Sequence, residues 1–130
     1  MQNIKRNDLV YPELSYQLIG IAFKVFNDLG WGHKEIYYQR AYATGLEESR
    51  IKFEREKCIA IFYGGKIIGR YKLDFVVDSK IVIEFKVRPR LGYIHIHQVL
   101  SYLKATNKKL AIVIYFTKDG VKYRRIINDK

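Results

Sequence analysis

Between Lys72 and Val87 the chain reads Lys-Leu-Asp-Phe-Val-Val-Asp-Ser-Lys-Ile-Val-Ile-Glu-Phe-Lys-Val, and Asp74, Glu84 and Lys86 are the side chains in it best suited to act on a phosphate ester. Side chains of a strand alternate between its faces. Ile81, Ile83, Phe85 and Val87 therefore share one apolar face, and Val82, Glu84 and Lys86 share the other. Asp78-Ser79-Lys80 is a short polar turn. A hairpin centred on Ser79 pairs Val77 with Ile81, Val76 with Val82, and Asp74 with Glu84. Directly opposed residues share a face, with β-carbons about 4.5–5.5 Å apart. Two carboxylates are then held side by side, next to Lys86. Like charges in that position destabilise a sheet, so a raised pKa or a bound cation must compensate. A hard divalent ion such as Mg²⁺ suits two oxygen ligands. The plainer alternative is a solvated strand face. The apolar opposite face weighs against it, because it decides which side the polar residues occupy.

These residues must be positioned by the elements around them. Leu14, Leu18, Ile21, Ala22, Val25, Phe26 and Leu29 step by three and four, which predicts a helix with one apolar stripe. Pro12 suits its first turn and Gly30 the position past its end. A second helix is expected from about Lys34 to Arg50, with Ile36, Ala43 and Leu46 inward and Gly32 in the link. Strands follow over Phe53 to Tyr63 and Lys66 to Val77, joined by the hairpin signal Gly64-Gly65, and then over Ile81 to Val87. Pro89 and Gly92 mark a loop, and Ile94 to Thr106 reads as a third helix that buries Ile94, Val99, Leu100 and Leu103. Leu110 to Phe116 is a continuous apolar run, as in a strand covered on both faces. Lys118-Asp119-Gly120 turns into a last strand, Val121 to Ile127. The order ααβββαββ predicts an α/β (α+β) domain, a mixed sheet flanked by helices. All 130 residues read as one domain, without repeat or linker.

Composition narrows the partners. Lys and Arg number 24 against 13 Asp and Glu, a formal net charge of +11. The hydrophobic share of 48% is too high for a disordered basic tail. One cysteine, Cys58, excludes a disulfide scaffold, and its alternation with Ile59 and Ile61 suggests a small packing residue. No apolar run is long enough to span a membrane, and the N-terminal residues do not read as a secretory signal. A soluble cytoplasmic domain with a positive field is expected, and nucleic acid is the first candidate partner. Eleven tyrosines add surfaces for base stacking or for the edge of the core. His33, His95 and His97 have no familiar zinc spacing, and Gly64-Gly65 is a turn because no Lys-Ser or Lys-Thr of a phosphate-binding loop follows it.

At Asp74, Glu84 and Lys86 the sequence resembles the PD-(D/E)XK nuclease superfamily, which has an acid on one core strand and then an acid, any residue and Lys on the next. Leu73 stands where the proline-aspartate members have proline. Gln98-Val-Leu-Ser-Tyr102 is similar to the Gln-x-x-x-Tyr motif of RecB-like members. Gly32-His-Lys-Glu35-Ile-Tyr-Tyr38 is similar to the motif that names the GxxExxY family. The resemblance covers Leu9 to Ile127 and implies a restriction-endonuclease-like core. It implies a metal-dependent deoxyribonuclease with little sequence specificity, RNA being left open as a substrate. Asp74 and Glu84 would hold Mg²⁺ or Mn²⁺ with a backbone carbonyl near Phe85, and Lys86 would orient the attacking water. Glu35 would be a third acid at the metal; otherwise it is a first-turn glutamate favoured by the helix dipole. Gln98 and Tyr102 would contact the substrate backbone; otherwise they form a buried hydrogen-bonded pair. Lys72, opposite Lys86, together with Arg88, Arg90 and Tyr38 would bind nucleic acid beside the cut. A homodimer on branched or duplex DNA, as in resolvase-type members, is expected from the resemblance alone. The competing expectations are a nucleic-acid-binding module that does not cut and a protein-interaction subunit.

Overall fold

The computed structural model describes residues 10–87 and 92–129. Its elements run α1 (Pro12–Leu29), α2 (Glu35–Glu48), β1 (Phe53–Tyr63), β2 (Lys66–Val77), β3 (Ile81–Val87), α3 (Tyr93–Thr106), β4 (Leu110–Thr117) and β5 (Gly120–Ile127). The order ααβββαββ is the expected one, with boundaries within two residues of the sequence reading. Among the described residues no helix is long and apolar enough to cross a membrane.

The five strands form one mixed sheet in the order β1-β2-β3-β4-β5. Only β3 and β4 run parallel, and α3 makes the crossover between them. Helices α1 and α2 cover one face over Phe75, Val77, Ile81, Ile83, Phe85, Ile112, Ile114 and Phe116. Helix α3 covers the other face with Val99 and Leu103 against Leu73, Val76, Val82, Ala111, Val113 and Ile126. Strands β3 and β4 are thus covered twice, which is why both read as nearly unbroken apolar runs. Ile94 does not join this layer: it is 69% exposed, because its place in the helical period turns it away from the face that Ile96, Val99 and Leu103 present to the sheet. Leu29 is likewise exposed at the last turn of α1.

Two local features set the geometry around β2. Asp78 and Ser79 both have positive φ, 51° and 56°, as the two central residues of a tight hairpin turn require. The second feature is a break in alternation. Leu73 belongs to the α3-side cluster, while Phe75, two residues on, belongs to the α1/α2-side cluster. The break falls at Asp74, and β1 answers it with Glu56 at φ 53°, between the pairs Arg55–Phe75 and Lys57–Leu73. On the helical side, Gly45 lets α2 approach α1 closely; a β-carbon there would stand 2.6 Å from Ile21 Cγ2.

Candidate active site

The β2–β3 ladder starts at the turn and pairs Val77 with Ile81, Val76 with Val82, and Phe75 with Ile83, the register read from the sequence. It stops there. At the next position the acids take over from the backbone. The Asp74 amide donates to Glu84 Oε2 at 2.9 Å, and the Phe85 amide donates to Asp74 Oδ2 at 2.8 Å. Buried amides need partners, and here each acid satisfies an amide of the opposite strand. The strands part at this reciprocal lock. Beyond it β2 pairs only with β1.

Burial and mutual repulsion govern the charge state. Glu84 is 6% exposed, on a strand that is apolar apart from it and Lys86. Burial first, and then the Asp74 charge, push its carboxyl up to about 8; the Asp74 amide and Lys86 act against that shift, and Glu35 adds to it. Burial also raises Asp74, against the Phe85 amide, Lys86 and Arg55, with Glu56 adding to the rise. Lys86 is half-buried and acts on both acids, as its place two residues after Glu84 requires. Among the described residues, Lys86 and Arg55 oppose the rise without offsetting burial and repulsion.

The other expected residues divide. Glu35 lies in the first turn of α2, accepts a hydrogen bond from Gln39 Nε2 at 3.1 Å, and acts on Glu84 by its charge. Tyr102 packs its ring on Tyr71, with centroids 4.0 Å apart. Burial, followed by the charges of Glu84, Tyr71 and Asp74, pushes its hydroxyl up to about 12, so it faces the acid pair. Gln98 is exposed one turn earlier on the same helix, so the two do not form a buried pair. Tyr38 requires a correction as a nucleic-acid contact. It is fully buried against Phe116, 4.4 Å between centroids. Its hydroxyl donates to the Gly30 carbonyl at 2.6 Å and accepts from the His33 amide, tying down the α1–α2 link. Lys72 is exposed but lies opposite Cys58 of β1 and not Lys86, because the strands have already parted. Cys58 is also exposed, since it lies on the outer side of that hairpin. Arg88 and Arg90 lie outside the described residues.

Sequence reasoning missed Arg55, Gln39, Glu56 and Tyr71. Arg55 sits over the Phe75 ring at 5.3 Å, donates to Gln39 Oε1 at 3.5 Å, and acts on Asp74 by its charge. The signal was available. A β1–β2 hairpin turning at Gly64-Gly65 brings Arg55 and Glu56 level with Asp74 and Phe75.

Two carboxylates suit a hard divalent ion. Mg²⁺ keeps several waters and is held by one or two carboxylates rather than by an all-protein cage. Each acid commits one oxygen to an amide, and no hydrogen bond among the described residues engages Asp74 Oδ1 or Glu84 Oε1. No group of three His, Cys, Asp or Glu side chains among the described residues closes into a ligand cluster, so Glu35 stands near the pair without completing a triad.

A mixed sheet between helical layers, split beside two locked acids and a lysine, defines a restriction-endonuclease-like domain. The chain belongs to the PD-(D/E)XK nuclease superfamily, whose family model matches residues 12–126. A crystal structure of SSO0001 superposes with a TM-score of 0.57 at 22% identity, over 94% of this chain and 59% of that one. This chain therefore spans less than two thirds of that protein's resolved length. An alkaline exonuclease, LHK-Exo from Laribacter hongkongensis, superposes with a TM-score of 0.51 at 11% identity, over 88% of this chain and 82% of that one. At such identities the likeness is one of fold. No curated protein matches the chain.

Proposed function

We propose that the chain is a nuclease that depends on Mg²⁺ or Mn²⁺ and hydrolyses phosphodiester bonds in DNA with little sequence preference. The observation that carries this reading is the reciprocal Asp74–Glu84 lock at the strand split, with Lys86 acting on both acids. A structural ion pair would place the lysine between the acids, whereas no salt bridge to Lys86 forms among the described residues. The amide bonds fix the orientation of both carboxylates, a preorganised arrangement that needs no rearrangement on binding.

Asp74 and Glu84 would hold the ion. When bound, it polarises the phosphate and lowers the pKa of a coordinated water. Lys86 would orient the attacking water and stabilise the negative charge that develops on the phosphate. Glu35 contributes negative charge from α2. Tyr102 presents its neutral hydroxyl to a substrate oxygen, and Gln98 contacts the backbone one turn away. Gly32, Glu35 and Tyr38 support the finer assignment to the GxxExxY family. Gly32 adopts φ 112°, Tyr38 clamps the link by its hydroxyl, and Glu35 opens the helix toward the acids.

The basic surface suits a polyanion. Ion pairs such as Lys24–Asp28, Lys57–Glu54 and Lys80–Asp78 each match one cation with one acid and leave the net charge of +11 unchanged. The purified chain should cut single-stranded, duplex or branched DNA with Mg²⁺ or Mn²⁺ and stop when the ion is chelated, with RNA run alongside. Intact DNA under all these conditions, with salt-sensitive binding retained, would replace this reading with a binding module that does not cut.

A further inference from the structure

Beyond Asp74, β1 and β2 leave the rest of the sheet as a two-stranded arm whose register continues to Tyr63–Lys66. From Lys57 to Leu73 the arm carries Lys57, Lys66, Arg70 and Lys72 and no acid. Its two faces differ. One face packs against α3: Ile59 joins the α3-side cluster, and the Tyr71 ring packs at a tilt against Tyr102. The opposite face follows from the alternation of β1 through Cys58, Ala60 and Phe62 and from their partners Lys72, Arg70 and Ile67. It presents cations along the stem, starting two residues from Asp74, and large apolar side chains at the tip. Phe62 is 63% and Ile67 48% exposed, and Tyr63 and Ile68 beside them are 79% and 66% exposed. A bulge between Ile61 and Phe62 re-aims the tip.

An isolated hairpin gains nothing from exposing such a tip, and a charged stem discourages pairing with another strand edge. We infer that the arm grips nucleic acid at a discontinuity in the duplex: Lys72 and Arg70 hold phosphates, and Phe62 and Ile67 insert between bases where stacking is interrupted. This rests on the nuclease reading and names its substrate class as branched, nicked or flapped DNA. The two chemistries divide the work. Cations on phosphates position a backbone without reading sequence. Apolar wedges enter a base stack at the cost of unstacking, and that cost is lowest where the stack is already broken. From Asp74 to Ile67 the arm spans about 24 Å at about 3.4 Å per residue. At about 3.4 Å of duplex per base pair, cutting falls within about seven base pairs of the discontinuity.

The test measures binding in the Lys86→Ala background, so that no probe is cut. The probes are a branched duplex with 2-aminopurine at the branch and a continuous duplex of equal length. The branched probe should bind about tenfold more tightly, the contribution of an aromatic stacked on a base, and its fluorescence should change on binding. Phe62→Ser with Ile67→Ser should erase both the preference and the fluorescence change, while Phe62→Trp keeps them. Arg70→Ala should weaken both probes equally and reduce the salt dependence. Circular dichroism checks that each variant is folded. A preference that survives the double tip variant overturns the inference. So does a wild-type dimer that the tip substitutions dissociate, since a second copy would then occupy the tip. With Lys86 restored, a branch preference without any cutting would overturn the nuclease reading and leave the arm standing; equal cutting of both probes would do the reverse.

Discussion

The two faces of the central sheet are packed differently. Toward α1 and α2 the sheet meets a layer of aromatic rings, Tyr38, Tyr42, Phe75, Phe85 and Phe116, fully buried and in mutual contact. The Tyr42 hydroxyl reaches the Leu18 carbonyl at 2.9 Å, so even its polar atom is satisfied. Toward α3 the residues are smaller, and a buried glutamate sits among them. One face supplies cohesion. The other gives up apolar packing at Glu84 and ends its ladder at Asp74, which opens a place for chemistry. A functional site of this kind is locally unfavourable and depends on a well-packed scaffold behind it.

Substitutions should separate the two faces. On the site face, Asp74→Ala and Lys86→Ala should each lower cleavage by at least about a hundredfold, as expected for groups that act on the transition state. Lys86→Ala should leave the unfolding midpoint nearly unchanged, whereas Asp74→Ala also strips the Phe85 amide of its acceptor and should lower it. Near-normal turnover in either variant would remove the site from its assigned place. On the aromatic face, Phe116→Ala should cost about 3–5 kcal/mol of stability in urea unfolding, through lost transfer energy and the cavity left among Phe26, Tyr38 and Phe85.

A third prediction uses pH. Between its ordinary value of 4.5 and about 8, the folded chain holds the Glu84 proton and the unfolded chain does not. The unfolded state then binds fewer protons, so stability falls as pH rises through that window. The raised Asp74 acts in the same direction. Thermal melts of the metal-free protein should show a midpoint that declines from pH 5 to pH 8, and Glu84→Gln should flatten the decline. Added Mg²⁺ should raise the wild-type midpoint most at the alkaline end, where the acids are charged. The smallest effect concerns Tyr38. Tyr38→Phe should cost about 1 kcal/mol, the net worth of its hydroxyl bond, and leave DNA affinity unchanged. A clear loss of affinity would return Tyr38 to the binding surface.

Much of this was legible in the sequence. The hairpin at Ser79 could be placed in register because a tight turn leaves few ways to pair the strands it joins, and a slip by one residue would have turned Ile81 and Ile83 to the wrong face. The double burial of β4 followed from its unbroken apolar run. The readings of Lys72, Cys58 and Tyr38 failed because each depended on a contact set elsewhere in the fold. The hairpin register carried past Asp74 set Lys72 opposite Lys86, whereas the strands part there and Lys72 pairs with Cys58. Cys58, expected to be a small packing residue, is exposed. Tyr38 had a motif position compatible with either a surface or a core role, and only the approach of Phe116 from β4, far along the chain, decides for the core.

What the sequence determined by itself is therefore local: the turns, the element order, the acids and lysine at hairpin spacing, and the excess of positive charge. These depend on the period of side chains and on backbone preferences, which act over a few residues. The tertiary structure decided where the ladder stops, that the acids replace its hydrogen bonds, that Arg55, Glu35 and Tyr102 reach them from three other elements, and that the β1–β2 arm exposes its tip. Those outcomes depend on burial and on charges brought together across long stretches of chain, and both come into being only when the layers pack.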